Sequence, residues 1–486
     1  MIEIIEAAAR VVRAQTRLPF RYGIAEMTVA PHVVVELTIG DGTAGTETTR
    51  GWASEQLPPK WFTKDPASSF SDDLEGLVGV VLHALEAARG LRGASAFDVW
   101  RRLDREQSAW AGEAGIPGLL AGLGTALVER ALIDAVCRRT GAPFVDALHD
   151  SARGGGLGFA PDAIHPELAD VPWSALLPRV PASTLAVRHT VGFADALTDA
   201  ECVDPPGDGL PASLEGVLRE SGVRFLKIKT AGDAAADRAR LSGIFAVCDA
   251  AAVTPRITID GNESMRSGEH LETWIGELLA DVEVGPLLRE SLIAVEQPVH
   301  RDVALNPALE GTLARLAAEG IAVIVDESDG DVGAVRRALD LGYAGGTYKG
   351  CKGVFRGLAN AVLVAHRTAL DGMPRLMTAE DLATLPPLTV AQDLVVASAM
   401  GLTHLERNGH HYFGRLAPLG PTIVADALDR HPDLYRPDAG VGARLRIDDG
   451  ELSFASALAA PFGFAPTLHV ADLPPLTVAG ARSLIS

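Results

Sequence analysis

Cysteine is scarce in this 486-residue chain. The four present, Cys137, Cys202, Cys248 and Cys351, lie far apart and never form a CxxC pair. That excludes a disulfide framework and a cysteine-built zinc cluster, and it fits a reducing compartment. Positive charge is in deficit too. Lys and Arg number 43 against 63 Asp and Glu, a formal net charge of -20. Such a surface repels polyanions, so neither nucleic acid nor an anionic membrane is expected as a partner. No uncharged apolar run reaches the roughly 18 residues of a membrane span. The candidates at 76–88 and 116–136 are interrupted by His, Glu or Arg. The opening Met1-Ile2-Glu3-Ile4-Ile5-Glu6 lacks the basic region and apolar core of a signal peptide. A cytoplasmic protein is expected, with 47% hydrophobic residues to build a sizeable core.

Residues 1–150 read as an α+β unit. Segment 32–39 is a strand, Gly40-Asp41-Gly42 a turn, and the stretch to Gly51-Trp52-Ala53 its returning partner. Helical patterns cover 73–88 and 118–139. The loop 57–69 holds Trp61 and Phe62, for which loop packing and substrate contact are both open. Arg21 and Tyr22 fall in an N-terminal loop that either reaches over the rest of the molecule or is simply fastened to it. Residues 151–183, rich in Gly and Pro, read as a linker or insertion. From 184 the pattern is regular. Strands at 185–191, 223–229, 256–260, 292–296, 321–326, 345–349, 374–378 and 402–405 alternate with helices. This predicts an α/β fold, a parallel (β/α)8 TIM-type barrel over 184–430, with the first unit as its cap. Residues 431–486, with a hairpin pattern near 442–454, form a tail expected to return to the cap.

One strand stands out. In 223–229, Lys227 and Lys229 sit two residues apart, so both point to one face of an apolar segment. An edge strand with two solvated lysines is one explanation. The other is a buried pair that needs anions nearby or uses a shifted pKa. The later strands favour the second. Asp260, Glu296 and Asp326 end three successive strands, and Lys349 ends the next. Parallel strands gather such ends at one mouth of a barrel. Helix capping accounts for one carboxylate after a strand, not for three in a row. Three carboxylates around a point suit a hard divalent cation, Mg²⁺ before Mn²⁺.

Lys-x-Lys, Asp-Gly-Asn, Glu-Gln-Pro, Asp-Glu-Ser and Lys-x-x-Lys, in that order, resemble the enolase superfamily. Within its mandelate racemase/muconate lactonizing enzyme family, the resemblance is to the muconate-lactonizing-enzyme-like branch. It implies that Asp260, Glu296 and Asp326 are metal ligands, with Asp326 rather than Glu327 the ligand of its triplet. It implies that Lys229 and Lys349 are acid/base residues on opposite faces of the substrate. Lys227 becomes a supporting charge, Lys352 the alternative to Lys349, and Asn262 a residue behind the ligands. The implied chemistry is removal of the α-proton of a small carboxylate substrate, with a metal stabilising the enediolate. Racemase, epimerase or cycloisomerase activity is expected first, a lyase or dehydratase second, and an inactive metal-binding barrel last. A homo-oligomer is compatible with all three.

Departures from the family pattern bear on specificity. The His–Asp pair of the mandelate-racemase-like branch is missing. So is the Asp-x-Asp of dipeptide epimerases on the last strand. Where a double glycine follows Lys-x-x-Lys, this chain has Gly353-Val354. Glu380 and Asp381, after the seventh strand, either touch substrate, order a lysine or cap the next turn. His404, His410 and His411 form a second metal site or, as their spacing favours, are surface or loop residues. His189 lines the mouth or packs beneath it.

Overall fold

The computed structural model describes residues 1–486 apart from 23–24, 44, 46, 417–419, 439–441, 482–483 and 485–486, and apart from the side chains of 22, 25 and 30. An antiparallel ribbon opens the chain. Strand β1 (Ile2–Tyr22) pairs with β2 (Ala25–Gly40) from Glu3↔Gly40 to Tyr22↔Ala25. The sequence reading expects only the second strand and a loop before it. Residues 7–13, rich in Ala and Arg, have helical propensity, but pairing with the Val33–Val35 run overrides it. β3 (Thr49–Gln56) and the short β4 (Arg92–Gly93) complete a sheet of order β3-β2-β1-β4.

Three helices cover this sheet: α1 (Phe70–Ala88), α2 (Ala96–Ala114) and α3 (Gly118–Thr140). Ser69 and Asp72 form a reciprocal capping box that starts α1. α3 packs against α1, α2 and β3 and is buried along nearly all its length, as its mixed apolar faces require. Gly51 permits the contact with β3. A Cβ there would lie 2.3 Å from the Ala131 carbonyl oxygen. α4 (Phe144–Asp150) leads into the 151–183 segment. This segment folds as four 3₁₀ turns, with Leu157, Phe159, Leu168 and Leu177 buried.

Eight parallel strands then close into a barrel. In order they are β5 (Thr184–Val191), β6 (Phe225–Lys229), β7 (Arg256–Asp260), β8 (Leu292–Glu296), β9 (Val323–Val325), β10 (Gly345–Lys349), β11 (Leu376–Glu380) and β12 (His404–Glu406). Each pairs with the next, and β12 pairs back to β5 through Ala186↔His404. The outer layer comprises α5 (Leu214–Ser221), α6 (Ala234–Ala250), α7 (Gly268–Ala280), α8 (Val284–Ser291), α9 (Arg301–Ala304), α10 (Glu310–Ala318), α11 (Ala334–Leu341), α12 (Val354–Asp371), α13 (Leu388–Ala399), α14 (Gly409–Tyr412) and α15 (Pro421–Arg430). β11 and β12 run on to Glu380 and Glu406, past the expected ends at 378 and 405.

The tail divides its contacts. β13 (Tyr435–Pro437) pairs with β14 (Ala443–Leu445), and β15 (Ile447–Asp448) with β16 (Glu451–Ser453). β16 then pairs antiparallel with β5, so this hairpin extends the barrel sheet and buries Leu452 and Phe454 there. The last segment does reach the cap. The Val11 N–H donates to the Pro474 carbonyl at 2.9 Å, and the Leu476 N–H to Ala9 at 3.0 Å.

Candidate active site at the barrel mouth

β6 brings both lysines to the C-terminal mouth. Lys227 is 1% exposed. Its Nζ lies 3.0 Å from Asp260, 2.8 Å from Glu296 and 3.4 Å from Glu406, and it also donates to Glu380. The buried pair with anions is therefore the arrangement found, not solvated lysines. Burial alone would lower the Lys227 pKa, but four carboxylates hold it well above the ordinary lysine value. Lys229 Nζ donates to Asp260 Oδ2 at 2.6 Å. Lys349, ending β10, pairs with Asp326 and lies 3.0 Å from Glu380. Lys352 is turned behind this layer. It donates to the carbonyls of Asp326 and Thr347 at 2.8 and 3.0 Å, and its Nζ is 2.7 Å from Asp326 Oδ1.

Glu380 is the hub of the opposite wall. Besides the two lysines it accepts from Arg188, a fully buried residue of β5. Burial would raise its pKa, but Lys227, Lys349 and Arg188 hold it well below the carboxylate range. Glu296 goes the other way. Burial and the neighbouring charge of Glu380 outweigh Lys227 and push it well up. Asp260 and Asp326 are held low despite burial, by Lys227 and Lys229 in one case and by Lys349 and Lys352 in the other. Glu406 accepts from Thr190 and from Asn408 Nδ2, the latter at 2.9 Å, and burial raises its pKa.

This architecture recurs among solved structures. An enolase from Bradyrhizobium, complexed with magnesium and mandelic acid, is 16% identical with a TM-score of 0.54, each chain covered over 93%. A mandelate racemase/muconate lactonizing protein from Herpetosiphon aurantiacus is 19% identical (TM-score 0.54, 93% of this chain and 96% of that). The 2-chloromuconate cycloisomerase from Rhodococcus opacus 1CP is 17% identical (TM-score 0.55, 93% and 94%). The chain has the fold of the mandelate racemase/muconate lactonizing enzyme-like enolase superfamily proteins. No protein-family profile and no curated protein matches its sequence.

Three carboxylates at the mouth of this barrel are spaced as a donor set for a divalent cation. Among the described residues, Glu296, Asp326 and Glu380 each offer a carboxylate oxygen, all within 4.8 Å of one another. Two of these are expected ligands. The third, Asp260, is engaged by both lysines of β6, and Glu380 stands in the group in its place. Glu296 Oε2 is buried with no hydrogen-bond partner, an orphaned acceptor that a cation would satisfy. An all-oxygen set fits Mg²⁺ or Mn²⁺.

The remaining expected residues divide. The Asn262 N–H donates to Asp260 Oδ1 at 2.8 Å and steadies that carboxylate. Glu327 is buried beside Asp326, and burial together with Asp326 and Glu263 pushes its pKa up to about 7. Asp381 pairs with Arg407 at 2.7 Å, ties β11 to the end of β12, and lines the cavity. Arg188 and Glu406 are absent from the sequence expectation.

A cavity of about 30 Å³, room for one or two waters, lies over the lysines. Phe20, Gln56, Pro58, Trp61 and Leu382 roof it, and Lys227, Lys229, Lys349, Glu406 and Asn408 face it from below. Trp61 lines this cavity, with its ring centroid 4.8 Å from Lys349 Nζ. Phe62 is buried in the loop, where its carbonyl accepts from Arg301 at 2.6 Å. Arg21 pairs with Glu26 on the exposed ribbon, and the side chain of Tyr22 lies outside the described residues.

None of the three histidines is fully exposed, His404 and His410 being half-buried. His411 is buried, and His189 packs against His410 and His411 with ring centroids 5.5 and 5.1 Å apart. His404 sits elsewhere, accepting from Arg188 at 2.9 Å. Among the described residues no histidine joins a group spaced to hold a metal.

The cap is bound to this mouth by buried charge. Glu129 of α3 accepts the Val354 and Phe355 N–H groups at the start of α12, at 3.0 and 2.7 Å. Arg130 lies 3.1 Å from Glu55 and 3.7 Å from Asp393. The glycines around Lys349 make room for these contacts. A Cβ on Gly350 would stand 2.7 Å from Asp393 and 2.8 Å from Arg130.

Proposed function

We propose that the chain is a divalent-cation-dependent enzyme of the enolase superfamily that removes the α-proton of a carboxylate substrate, acting as a racemase, epimerase or cycloisomerase. One observation carries this reading. Lys229 and Lys349 face the same cavity from β6 and β10, strands four apart in a ring of eight and so on opposite sides of the barrel. Two amines facing one point from opposite sides suit removal of a proton from one face of a carbon and its return to the other.

Glu296 and Asp326, with Asp260 or Glu380, would hold Mg²⁺ or Mn²⁺. When bound, such an ion offsets the negative charge that grows on a substrate carboxylate as the α-proton leaves. Lys229 Nζ, once it has released its own proton as the neutral amine, takes the α-proton, and its bond to Asp260 sets its direction. Lys349, charged beside Asp326 and Glu380, holds a proton to donate from the far side. Lys227 neutralises the carboxylates beneath. The roof residues would screen an acid held between the two amines from solvent.

A second reading is favoured by Glu406. This carboxyl faces the cavity with a raised pKa, a third proton-transfer group able to protonate a group leaving the β-carbon. That arrangement suits a lyase working on the same α-proton chemistry.

The test is substitution. Lys229→Ala and Lys349→Ala should each cut α-hydrogen exchange by at least about a thousandfold, for any acid the parent protein exchanges. Calorimetry should show Mg²⁺ binding retained. Undiminished exchange in either variant removes that lysine from the reaction.

A further inference from the structure

A second cavity, of about 40 Å³, lies outside the barrel between α5, α14 and the β13–β14 hairpin. It shares no lining residue with the cavity over the lysines. Arg436 and Arg444 line it, and they stand directly opposite each other in the hairpin. Like charges so placed repel unless an anion lies between them. Glu220 of α5 serves only one of the two. It lies 2.7 Å from Arg444 but 3.8 Å from Arg436. The Nε groups of both arginines are buried with no hydrogen-bond partner among the described residues.

The neighbouring charges leave a cation in excess. Arg17 pairs with Asp208, and Arg415 with Asp438, which is also 3.9 Å from Arg444. Four guanidiniums thus face three carboxylates, Glu220 being the third, in a chain whose net charge is -20.

Two imidazoles complete the wall. His411 is 6% exposed and meets its neighbours through ring contacts with His189, His410 and Tyr412. Among the described residues its ring makes no hydrogen bond, and both ring nitrogens of His410 are buried without a partner. Burial holds the two imidazoles well below the ordinary histidine value, so each is neutral and has one N–H to give. Buried donors that find no acceptor in the protein call for one from a ligand.

The geometry also limits the kind of acceptor. Glu220 offers two oxygens in one plane and satisfies one guanidinium. A tetrahedral oxyanion presents oxygens in several directions, so it can meet both arginines and the rings together. Glu220 and Arg436, 32% and 35% exposed, form the open edge, where Glu220 is free to swing aside as a ligand enters.

We propose that this cavity binds a phosphate group, carried in as free phosphate or on a small phosphomonoester. The site stands apart from the α-proton chemistry at the barrel mouth and does not rest on it.

The experiment is calorimetric titration of the full chain in EDTA at fixed ionic strength, with inorganic phosphate, with glycerol 3-phosphate and with chloride as control. Phosphate should bind saturably and chloride should not. Arg436→Gln and Arg444→Gln should each weaken phosphate binding about tenfold or more, the loss of a charge-assisted hydrogen bond. Glu220→Gln removes the competing carboxylate and should tighten binding about threefold or more. A variant that merely disturbed the hairpin would weaken it. Lys229→Ala should leave the affinity unchanged. Binding of the ester as well as phosphate assigns the site to a phosphorylated metabolite, and binding of phosphate alone assigns it to the free ion. The proposal is overturned if no ligand binds saturably, if chloride binds as phosphate does, or if binding is undiminished in both arginine variants. Binding lost in Lys229→Ala also overturns it, because the anion would then sit at the barrel mouth.

Discussion

Lys227 offers a test that needs no substrate. Its Nζ sits among Asp260, Glu296, Glu380 and Glu406, and the side chain is 1% exposed. Methionine at this position keeps most of the length and removes the charge. Four buried carboxylates then lose their common cation. Removing one partner of a buried ion pair costs about 3–5 kcal/mol. Proton uptake by the abandoned carboxylates limits the loss to that range. With a urea slope of about 3 kcal/mol per M, the unfolding midpoint of Lys227→Met should fall by about 1–1.7 M in cation-free buffer. A divalent cation among the same oxygens supplies charge in place of the ammonium. Mg²⁺ at a hundredfold its dissociation constant stabilises a binding protein by about 2.7 kcal/mol. The variant should therefore gain more from Mg²⁺ than the parent does. Paired urea titrations, with EDTA and with Mg²⁺, read both effects. A midpoint unchanged in EDTA would refute the picture of Lys227 as the charge that holds these carboxylates together.

Acid should act through His189, which burial holds at about 4 rather than 6.5. Between those values the unfolded chain takes up a proton that the folded one refuses, so stability falls as pH drops, by up to about 3 kcal/mol. His189→Phe should lessen, by one proton's share, a pH dependence of the urea midpoint to which His404, His410, His411 and His431, all held low by burial, also contribute, and an unchanged slope would show the group to be charged in the fold. Arg17 fastens the ribbon tip through Asp208 at 2.6 Å and three backbone carbonyls. Losing charge-assisted bonds worth about 1.5–3 kcal/mol should speed hydrogen exchange of the amides in residues 13–21 about ten- to a hundredfold in Arg17→Ala. Exchange at the parent rate would mean that the clasp does not limit opening.

How far the sequence foretold this site depended on where each strand was seen to end. Lys229, Asp260, Glu296, Asp326 and Lys349 are legible because β-branched or apolar runs stop at or beside them. Glu380 and Glu406 fall on strands whose middles are ambiguous. Leu376–Glu380 begins next to Pro374 and Arg375, and His404–Glu406 is three residues long. Ending them at 378 and 405 turns two site carboxylates into ordinary post-strand residues. Arg188 looks like a solvated side chain in an alternating strand, and only barrel closure shows that it points at Glu380. The 2–22 strand hides in a helix-like composition because its partner, residues 25–40, is recognised only once the two pair. The spacing of His410 and His411 carries no sign of their burial, because that burial comes from packing between the β1 ribbon and α14, which no local pattern reveals.

The central claim is that two opposed lysines over a carboxylate cluster exchange the α-proton of an acid when a divalent cation is bound. Incubating the parent protein in D₂O with a carboxylic-acid library and reading the +1 mass shift tests it directly. The account predicts label at the α-carbon of at least one acid with Mg²⁺ present and none after EDTA. Bound Mg²⁺ without label in any acid, or label that persists undiminished in EDTA, would contradict it.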